Sequence, residues 1–288
     1  DLVVGETTCD GKKKMFELLA EFRPIHILQL PQTQGSDGAL SFWYNEVTKF
    51  KERVEKETGV MITDERLSAA IQLTNQERKA KKALMDLAKT KPSPISGMEL
   101  LTIKFKTGFF MDKKQGIDLI YEFVEEMQRK TPQGESPFTS DTPRILLTGV
   151  PVGLGSEKVV RLIEKAGANV VCFENCSGYK SVFKTIDEEK EPLQAIAEKY
   201  LATPCSVMSP NLGRFELLTE LIKGFSVDGV VDLTWQACHT YNIESFSIER
   251  FVSEKFGLPF LHLETDYSES DTEQLRVRIE AFLEMVGG

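Results

Sequence analysis

Arg144-Ile-Leu-Leu-Thr-Gly149-Val-Pro-Val-Gly-Leu-Gly-Ser156 is the stretch on which the fold turns. Its apolar run does not alternate with polar residues, so it reads as a strand buried on both faces, as in a parallel sheet. A glycine-rich turn comes next, then a helix-period segment from Ser156 to Gly167, where Gly167 can end the helix. The pattern repeats downstream. Strands are expected over Asn169–Glu174, Asp228–Leu233 and Leu258–Leu263, and helices over Gly213–Gly224, Asn242–Phe256 and Ser270–Met285. Short continuous apolar strands between amphipathic helices predict a doubly wound parallel α/β sheet. Upstream, Asp1-Leu-Val-Val-Gly-Glu-Thr-Thr-Cys9 reads as a strand entering a cysteine-bearing turn, then a helix over Lys12–Phe22 and a strand over Pro24–Pro31. Leu40–Gly59, Asp64–Lys91, Ile95–Met111 and Gly116–Lys130 carry helical periodicity. The run Thr131–Pro143, rich in Pro, Ser, Thr and Gly, is the one strong linker. The expectation is two α/β subdomains, 1–140 with a helical segment and 141–288. The first is expected to be cut short at its start, since a parallel strand at the very beginning needs neighbours on both sides.

A chain of 288 residues, 41% hydrophobic and 27% charged, is long enough for about two domains, each with its own core. Lys+Arg 35 against Asp+Glu 44 leaves a net charge of −9. That balance argues against broad binding to nucleic acid or an anionic membrane, although it leaves room for a local basic pocket. No apolar run approaches the ~20 residues of a membrane span and no signal-peptide pattern opens the sequence, so a soluble cytoplasmic protein is expected.

The cysteines carry the chemistry. Cys9, Cys176 and Cys238 fall just beyond expected strand ends, and Cys205 lies in the loop Thr203-Pro-Cys-Ser-Val-Met-Ser-Pro210. Cys172 stands inside a strand and reads as a core thiol. In open α/β sheets, ligands bind beyond the carboxyl ends of the strands. Any one loop cysteine is most simply an unligated thiol; four at such positions suit zinc or an iron–sulfur cluster. The short C-x2-C ribbons of structural zinc are missing, so dispersed thiols around a cluster in a cleft fit better.

Other signals are weaker. The turn Gly149–Ser156 reads either as an anion cradle or as a tight turn with Ser156 as helix cap, and it lacks the lysine of a P-loop. His239, beside Cys238, could donate a proton, whereas His26 and His262 read as core histidines. The loops Glu174-Asn-Cys-Ser-Gly-Tyr-Lys180 and Trp235-Gln-Ala-Cys-His-Thr-Tyr-Asn242 mix thiol, amide, phenol and charge, a combination costly to bury unless it is satisfied or used. The acidic run Asp266–Glu273 reads as a cap-rich surface turn.

Thr7-Thr-Cys-Asp-Gly-Lys-Lys-Lys14, Leu30-Pro-Gln32, Cys238-His-Thr-Tyr-Asn-Ile-Glu244 and Glu264-Thr-Asp-Tyr267 together resemble the 2-hydroxyacyl-CoA dehydratase and benzoyl-CoA reductase family. Within it, Gly149–Ser156, Cys172–Tyr179, Thr203–Pro210 and Trp235-Gln-Ala-Cys238 look like the double-cubane cluster branch. The resemblance spans nearly the whole chain. It implies two Rossmann-like (flavodoxin-like) subdomains with the cluster between them, a homodimer, and a separate ATP-hydrolysing iron–sulfur activator that supplies low-potential electrons under anaerobic conditions. By position, Cys9 and Cys238 match cysteines used across the family. Cys176 and Cys205 match further cysteines of the double-cubane branch, and Cys172 has no such role. Two cubanes bridged by a sulfide would need six protein thiolates against the four found here, and that deficit again points to missing upstream sequence.

The resemblance therefore implies an ATP-dependent low-potential oxidoreductase. It would hold an iron–sulfur cluster (an 8Fe-9S double cubane) on Cys9, Cys176, Cys205 and Cys238 and reduce a small substrate, with His239, Tyr179 and Lys180 as candidates to tune its potential or supply protons. Two rivals stand beside it. One is a 2-hydroxyacyl-CoA dehydratase subunit with a single 4Fe-4S cluster, which leaves Cys176 and Cys205 unexplained. The other is a non-catalytic electron-storage protein.

Overall fold

The computed structural model describes residues 2–131 and 136–287. Residues 132–135 of the expected linker lie outside them, as do Asp1 and Gly288. The chain divides into two compact units, one of residues 1–75 and 184–214, the other of residues 76–183 and 215–288.

The larger unit is built on the sheet that the sequence announces. β3 (Arg144–Gly149), β4 (Asn169–Phe173), β5 (Gly229–Trp235) and β6 (Phe260–Thr265) are all parallel in the order β4-β3-β5-β6. β3 is buried along its whole length, which is why its sequence shows no alternation. Leu146 is set against Val230 and Gly149 against Leu233. The chain leaves β3 in one direction towards β4, while β5 continues in the other towards β6. The switch point, where ligands of open α/β sheets bind, therefore lies between β3 and β5. Gly149 sits there at φ +99°, and a Cβ on it would stand 2.1 Å from the Leu233 carbonyl oxygen, so no other residue fits without backbone movement.

The helices of this unit are α4 (Gly97–Gly108), α5 (Lys113–Lys130), α6 (Lys158–Lys165), α9 (His239–Phe256), α10 (Thr272–Gly287) and most of α8 (Leu212–Gly224). Their apolar faces share one core with the sheet, including Leu100, Ile120, Ile145, Val170, Leu217, Ile248 and Ile279. A capping box at Ser96 and Glu99 opens α4 two residues later than the periodicity predicts. The N-terminus of α4 is tied to α6 by the Glu164 carboxylate, which accepts from Gly97 N at 2.6 Å and Met98 N at 3.3 Å. These contacts explain why the units do not follow a single cut at 140/141. The apolar stripes of α4 and α5 complete the core of the four-stranded sheet, so residues 76–140 belong with it.

The smaller unit pairs β1 (Val3–Glu6) in parallel with β2 (Ile25–Leu28), joined through α1 (Asp10–Leu19). α2 (Ala39–Thr58) packs on α7 (Pro192–Leu201), with Leu28, Trp43, Val47, Leu193, Ala197 and Leu201 in its core. The sequence reading missed α7, although Glu191 caps it through its carboxylate and Pro192 occupies its first turn. α3 (Asp64–Asp86) begins in this unit; its Asn75 is buried and exchanges hydrogen bonds with the Ile186 backbone at 2.8 and 2.9 Å. His26 is half-buried against Phe50, and its Nε2 has no hydrogen-bond partner among the described residues. Burial, then the Arg53 charge, lowers its pKa. His262 is satisfied by Thr234 at 3.1 Å.

Candidate functional site

Cys9 and Cys205 belong to the smaller unit, Cys176 and Cys238 to the larger. No disulfide joins any of the five cysteines. Among the described residues no three His, Cys, Asp or Glu side chains converge as a metal-ion site within the chain.

In the smaller unit Cys9 is the N-cap of α1, in extended conformation at φ −150°. Its thiol lies over the first turn of α1, 4.0 Å from where a Cβ on Gly11 would sit. That position faces the positive end of the helix, which favours negative charge. Thr7, two residues earlier, is buried; its hydroxyl accepts from Leu30 N at 2.9 Å and its carbonyl from Gln32 Nε2 at 3.4 Å. The Gln32 carbonyl in turn accepts from Ser209 N at 2.8 Å, in the Cys205 loop. Gln34 Nε2 donates to the last residue of α7, at Leu201 O 2.6 Å away, and to the start of the same loop, at Thr203 O 3.0 Å away. The segment after β2 thus ties the Cys9 turn to the Cys205 loop.

The larger unit repeats this arrangement with another connector. Cys176 lies just past β4 and is exposed, and Cys238 is the half-buried N-cap of α9 beyond β5. The Gly149–Ser156 loop runs between them. Val152 N donates to Ser177 Oγ at 3.0 Å and Val150 O accepts from Asn175 Nδ2 at 2.9 Å, both on the Cys176 side. On the Cys238 side the Trp235 indole donates to Pro151 O at 3.2 Å. Ala237 takes a left-handed φ of +68° immediately before Cys238, a conformation that costs energy in a residue other than glycine.

This wiring settles the two readings of the glycine-rich turn. Val150 N bonds Leu233 O at 2.8 Å, Gly153 N bonds Ser156 Oγ at 2.9 Å, Gly155 N bonds Glu157 Oε2 at 2.5 Å and Ser156 N bonds Gly153 O at 3.0 Å. These donors are committed within the protein, so the turn is a brace and not a phosphate cradle. Nor does Ser156 cap the helix: Glu157 is the N-cap of α6.

A buried ionic group lies under the same rim. Lys180 Nζ and Glu174 Oε1 are 3.0 Å apart, with both side chains at 0% exposure. Thr148 donates to Glu174 Oε2 at 2.7 Å, and Lys180 reaches the Tyr241 hydroxyl at 3.3 Å. The ends of β3 and β4 are thereby linked to the first turn of α9. Of the three expected proton donors, only His239 is exposed; it is the first residue of α9. Lys180 is enclosed. Tyr179 is 4% exposed, and its hydroxyl donates to Asp86 at 2.8 Å. Burial, then the Asp86 hydrogen bond and charge, pushes the Tyr179 phenol far up. Cys172 is 2% exposed, and burial, then the Glu174 charge, raises its thiol pKa well above the ordinary value, as suits a core residue.

Sequence reasoning did not single out Lys104. It points from α4 at the Cys176 loop and donates to the Ser177 carbonyl. Burial, and to a lesser degree the Lys81 charge, lowers its pKa to about 7. A pocket of about 340 Å3 opens beside it, with Cys176 in its wall. The acidic turn after β6 is also anchored more firmly than its composition suggests, because buried Lys158 donates to Thr265 Oγ1 at 2.8 Å, Ser268 O at 2.6 Å and Asp271 Oδ1 at 2.5 Å.

Each unit thus carries two uncrosslinked thiols on braced loops, the soft donor type that suits thiolate-ligated iron. Cys9 and Cys238 each sit at a helix N-terminus, where the anionic charge of such a centre is favoured.

The family model described as 2-hydroxyglutaryl-CoA dehydratase, D-component, matches residues 1–286. YjiM of Escherichia coli (strain K12), provisionally named a dehydratase subunit, is 41% identical over 286 residues, covering 99% of this chain and 74% of the relative. The (R)-phenyllactyl-CoA dehydratase beta subunit of Clostridium sporogenes is 25% identical over 280 residues, 96% of this chain and 72% of the relative. The (R)-2-hydroxyglutaryl-CoA dehydratase subunit beta of Acidaminococcus fermentans is 20% identical over 296 residues, 99% of this chain and 75% of the relative.

Proposed function

Since the chain belongs to the 2-hydroxyglutaryl-CoA dehydratase D-component family, we propose that it is the iron–sulfur component of a low-potential reductase of the double-cubane type. Cys9, Cys176, Cys205 and Cys238 would hold the cluster. The observation that carries this reading is the pairing of thiols with braces. Each unit offers two uncrosslinked loop cysteines whose loops are hydrogen-bonded to a shared connector, through Gln32 in one unit and through Val152 and Pro151 in the other. A dehydratase subunit with one small cluster has a use for Cys9 and Cys238 but none for two further braced thiols.

When bound, the cluster supplies single electrons at low potential. The chain's own contribution is to hold the ligand loops in place. The enclosed Glu174–Lys180 pair fixes the Cys176 loop from behind, and Trp235 packs over the approach to Cys238 against Tyr267, with ring centroids 4.8 Å apart. His239, exposed beside Cys238, would be the side chain that passes a proton to a substrate. In this reading the protein works as a homodimer, and a separate ATP-hydrolysing activator loads the electrons.

The relatives' names favour one alternative, a 2-hydroxyacyl-CoA dehydratase subunit, which in this second reading would hold a single 4Fe-4S cluster. Iron and acid-labile sulfide per chain, measured on anaerobically purified protein, separate the two. Cys176→Ser and Cys205→Ser should each lower the iron content, with Cys172→Ser as the unaffected control. Unchanged iron in both variants would favour the single-cluster subunit, and iron near zero in the unsubstituted protein would refute both.

A further inference from the structure

The pocket of about 340 Å3 between α4 and the Cys176 loop has no assigned occupant, and its walls specify one. Lys104 and Lys81 line it and no carboxylate does. The nearby Glu77 is shared between two ammonium groups, Lys81 at 2.6 Å and Lys113 at 3.0 Å, so the surroundings remain net positive within a chain of net charge −9. An ammonium carries three donors. One of Lys104 goes to the Ser177 carbonyl and another faces the weak acceptor Met85 Sδ at 3.6 Å, which leaves one for a ligand.

Ser177, Ser181 and Cys176 are on the Cys176 side of the wall, and the α4 side apart from Lys104 is apolar. Phe105 and Phe109 pack at 4.9 Å between ring centroids and remain 38% and 73% exposed, with Val152 also in the lining. Two exposed rings offer a face to a flat body. A polyphosphate or nucleotide head is disfavoured: the pocket is at the small end for ligand sites, and the backbone donors of the adjoining glycine-rich loop are already committed. We propose that this pocket binds a small organic monoanion with a flat apolar body, its charge held by Lys104 and its body by Phe105 and Phe109. The site deepens the reading above, because an occupant would lie against Cys176. It rests on that reading only for what happens after binding.

The test uses 4-fluorobenzoate as probe, monitored by fluorine NMR at about pH 6 so that Lys104 is an ammonium, with 4-fluorobenzamide and 4-fluorobenzylamine as neutral and cationic counterparts. The protein is iron-free, so the outcome is independent of the cluster. The carboxylate should bind and the other two should not compete with it. Lys104→Met should weaken binding by about tenfold, the worth of one charge-assisted hydrogen bond, and Phe109→Ala by about threefold. The probe should also slow iodoacetamide alkylation of Cys176 while leaving Cys9 and Cys205 unchanged. Equal binding of the amide, indifference to Phe109→Ala, or unprotected Cys176 would each overturn the proposal. Phe109 is largely exposed, so its variant keeps the test decisive even where Lys104→Met fails to fold. Loss of probe binding with full iron loading would sink this inference and leave the cluster reading intact; the reverse result would do the opposite.

Discussion

Replacing Gly149 by alanine places a methyl group 2.1 Å from the Leu233 carbonyl oxygen and 2.8 Å from Asp232 Oδ1, at a φ of +99°. An ordinary contact needs about 3.4 Å, so β3 and β5 must separate by roughly 1 Å at the switch point. That displacement stretches the 2.8 Å bond from Val150 N to the same carbonyl, and it moves the loop that braces both Cys176 and Cys238. Left-handed strain of ~1–3 kcal/mol and a weakened buried hydrogen bond of ~1 kcal/mol sum to about 2–4 kcal/mol, before any steric residue. The two units need not unfold together, so a global midpoint would blur the effect. The two tryptophans solve this, because Trp43 lies in the smaller unit and Trp235 in the larger. In a Trp43→Phe background, Trp235 fluorescence in a urea titration reports the larger unit alone. Gly153→Ala is the control: its Cβ would meet Phe105 at an unstrained 3.5 Å, and a change within about 0.5 kcal/mol is expected. Equal stability of the two variants would refute the claim that close backbone approach at Gly149 sets the switch point.

Lys180→Met should destabilise the larger unit by about 3 kcal/mol or more, because it strips the buried Glu174 of a cation. Adding Glu174→Leu should restore much of the loss, with a coupling of about 1–3 kcal/mol in a double-mutant cycle; simple additivity would argue against the pair. Gln34→Ala removes one bond to the end of α7 and one to the Cys205 loop, so alkylation of Cys205 should accelerate while that of Cys176 stays constant. Tyr179→Phe should cost about 1 kcal/mol and leave any electron-transfer activity unaltered. Desolvation opposes ionisation of Asp86, but bonds from Lys82, Lys89 and Tyr179 outweigh it and hold its pKa below 3.8. The group therefore stabilises the fold above the ordinary carboxylate range and loses that contribution as pH falls through its folded value. Tyr179→Phe should shrink this acid-side loss in pH-dependent unfolding. Lys104 has the opposite profile. Its folded pKa is about 7 against an ordinary 10.5, so the unfolded chain holds the extra proton in between and stability should rise with pH across that window. Lys104→Met should flatten the slope.

The sheet was legible because buried parallel strands leave an unmistakable mark: β3 to β6 lie within a residue or two of where the apolar runs place them. Cys172, Cys9, Cys176 and Cys238 were legible for the same reason, since the position of a strand fixes which residues are core and which begin the next loop, whereas Cys205 was marked by the prolines of its own loop. The assignment of α4 and α5 to the larger unit was not, because an amphipathic stripe says that a helix packs without saying on what. Tyr179 and Lys180 stand in sequence as polar loop groups either satisfied or used. Only the placement of Asp86 and Glu174, distant or turned inward, shows them enclosed. The glycine-rich turn is ambiguous in sequence because its donors can face a ligand or the protein, and the answer depends on Ser156, Ser177 and Leu233 together.

One brace has a wider consequence. The loop after β3 grips the Cys176 segment through Val152 and the Cys238 segment through the Pro151 carbonyl, so it works as a spacer gauge set when the unit folds. Much of the ordering cost for these two thiols is then met during folding and not at the arrival of a ligand. Under the proposed cluster reading, a centre of the wrong span would be accepted only by straining the switch point itself, and selectivity for cluster size would be written into backbone geometry well before any sulfur is engaged.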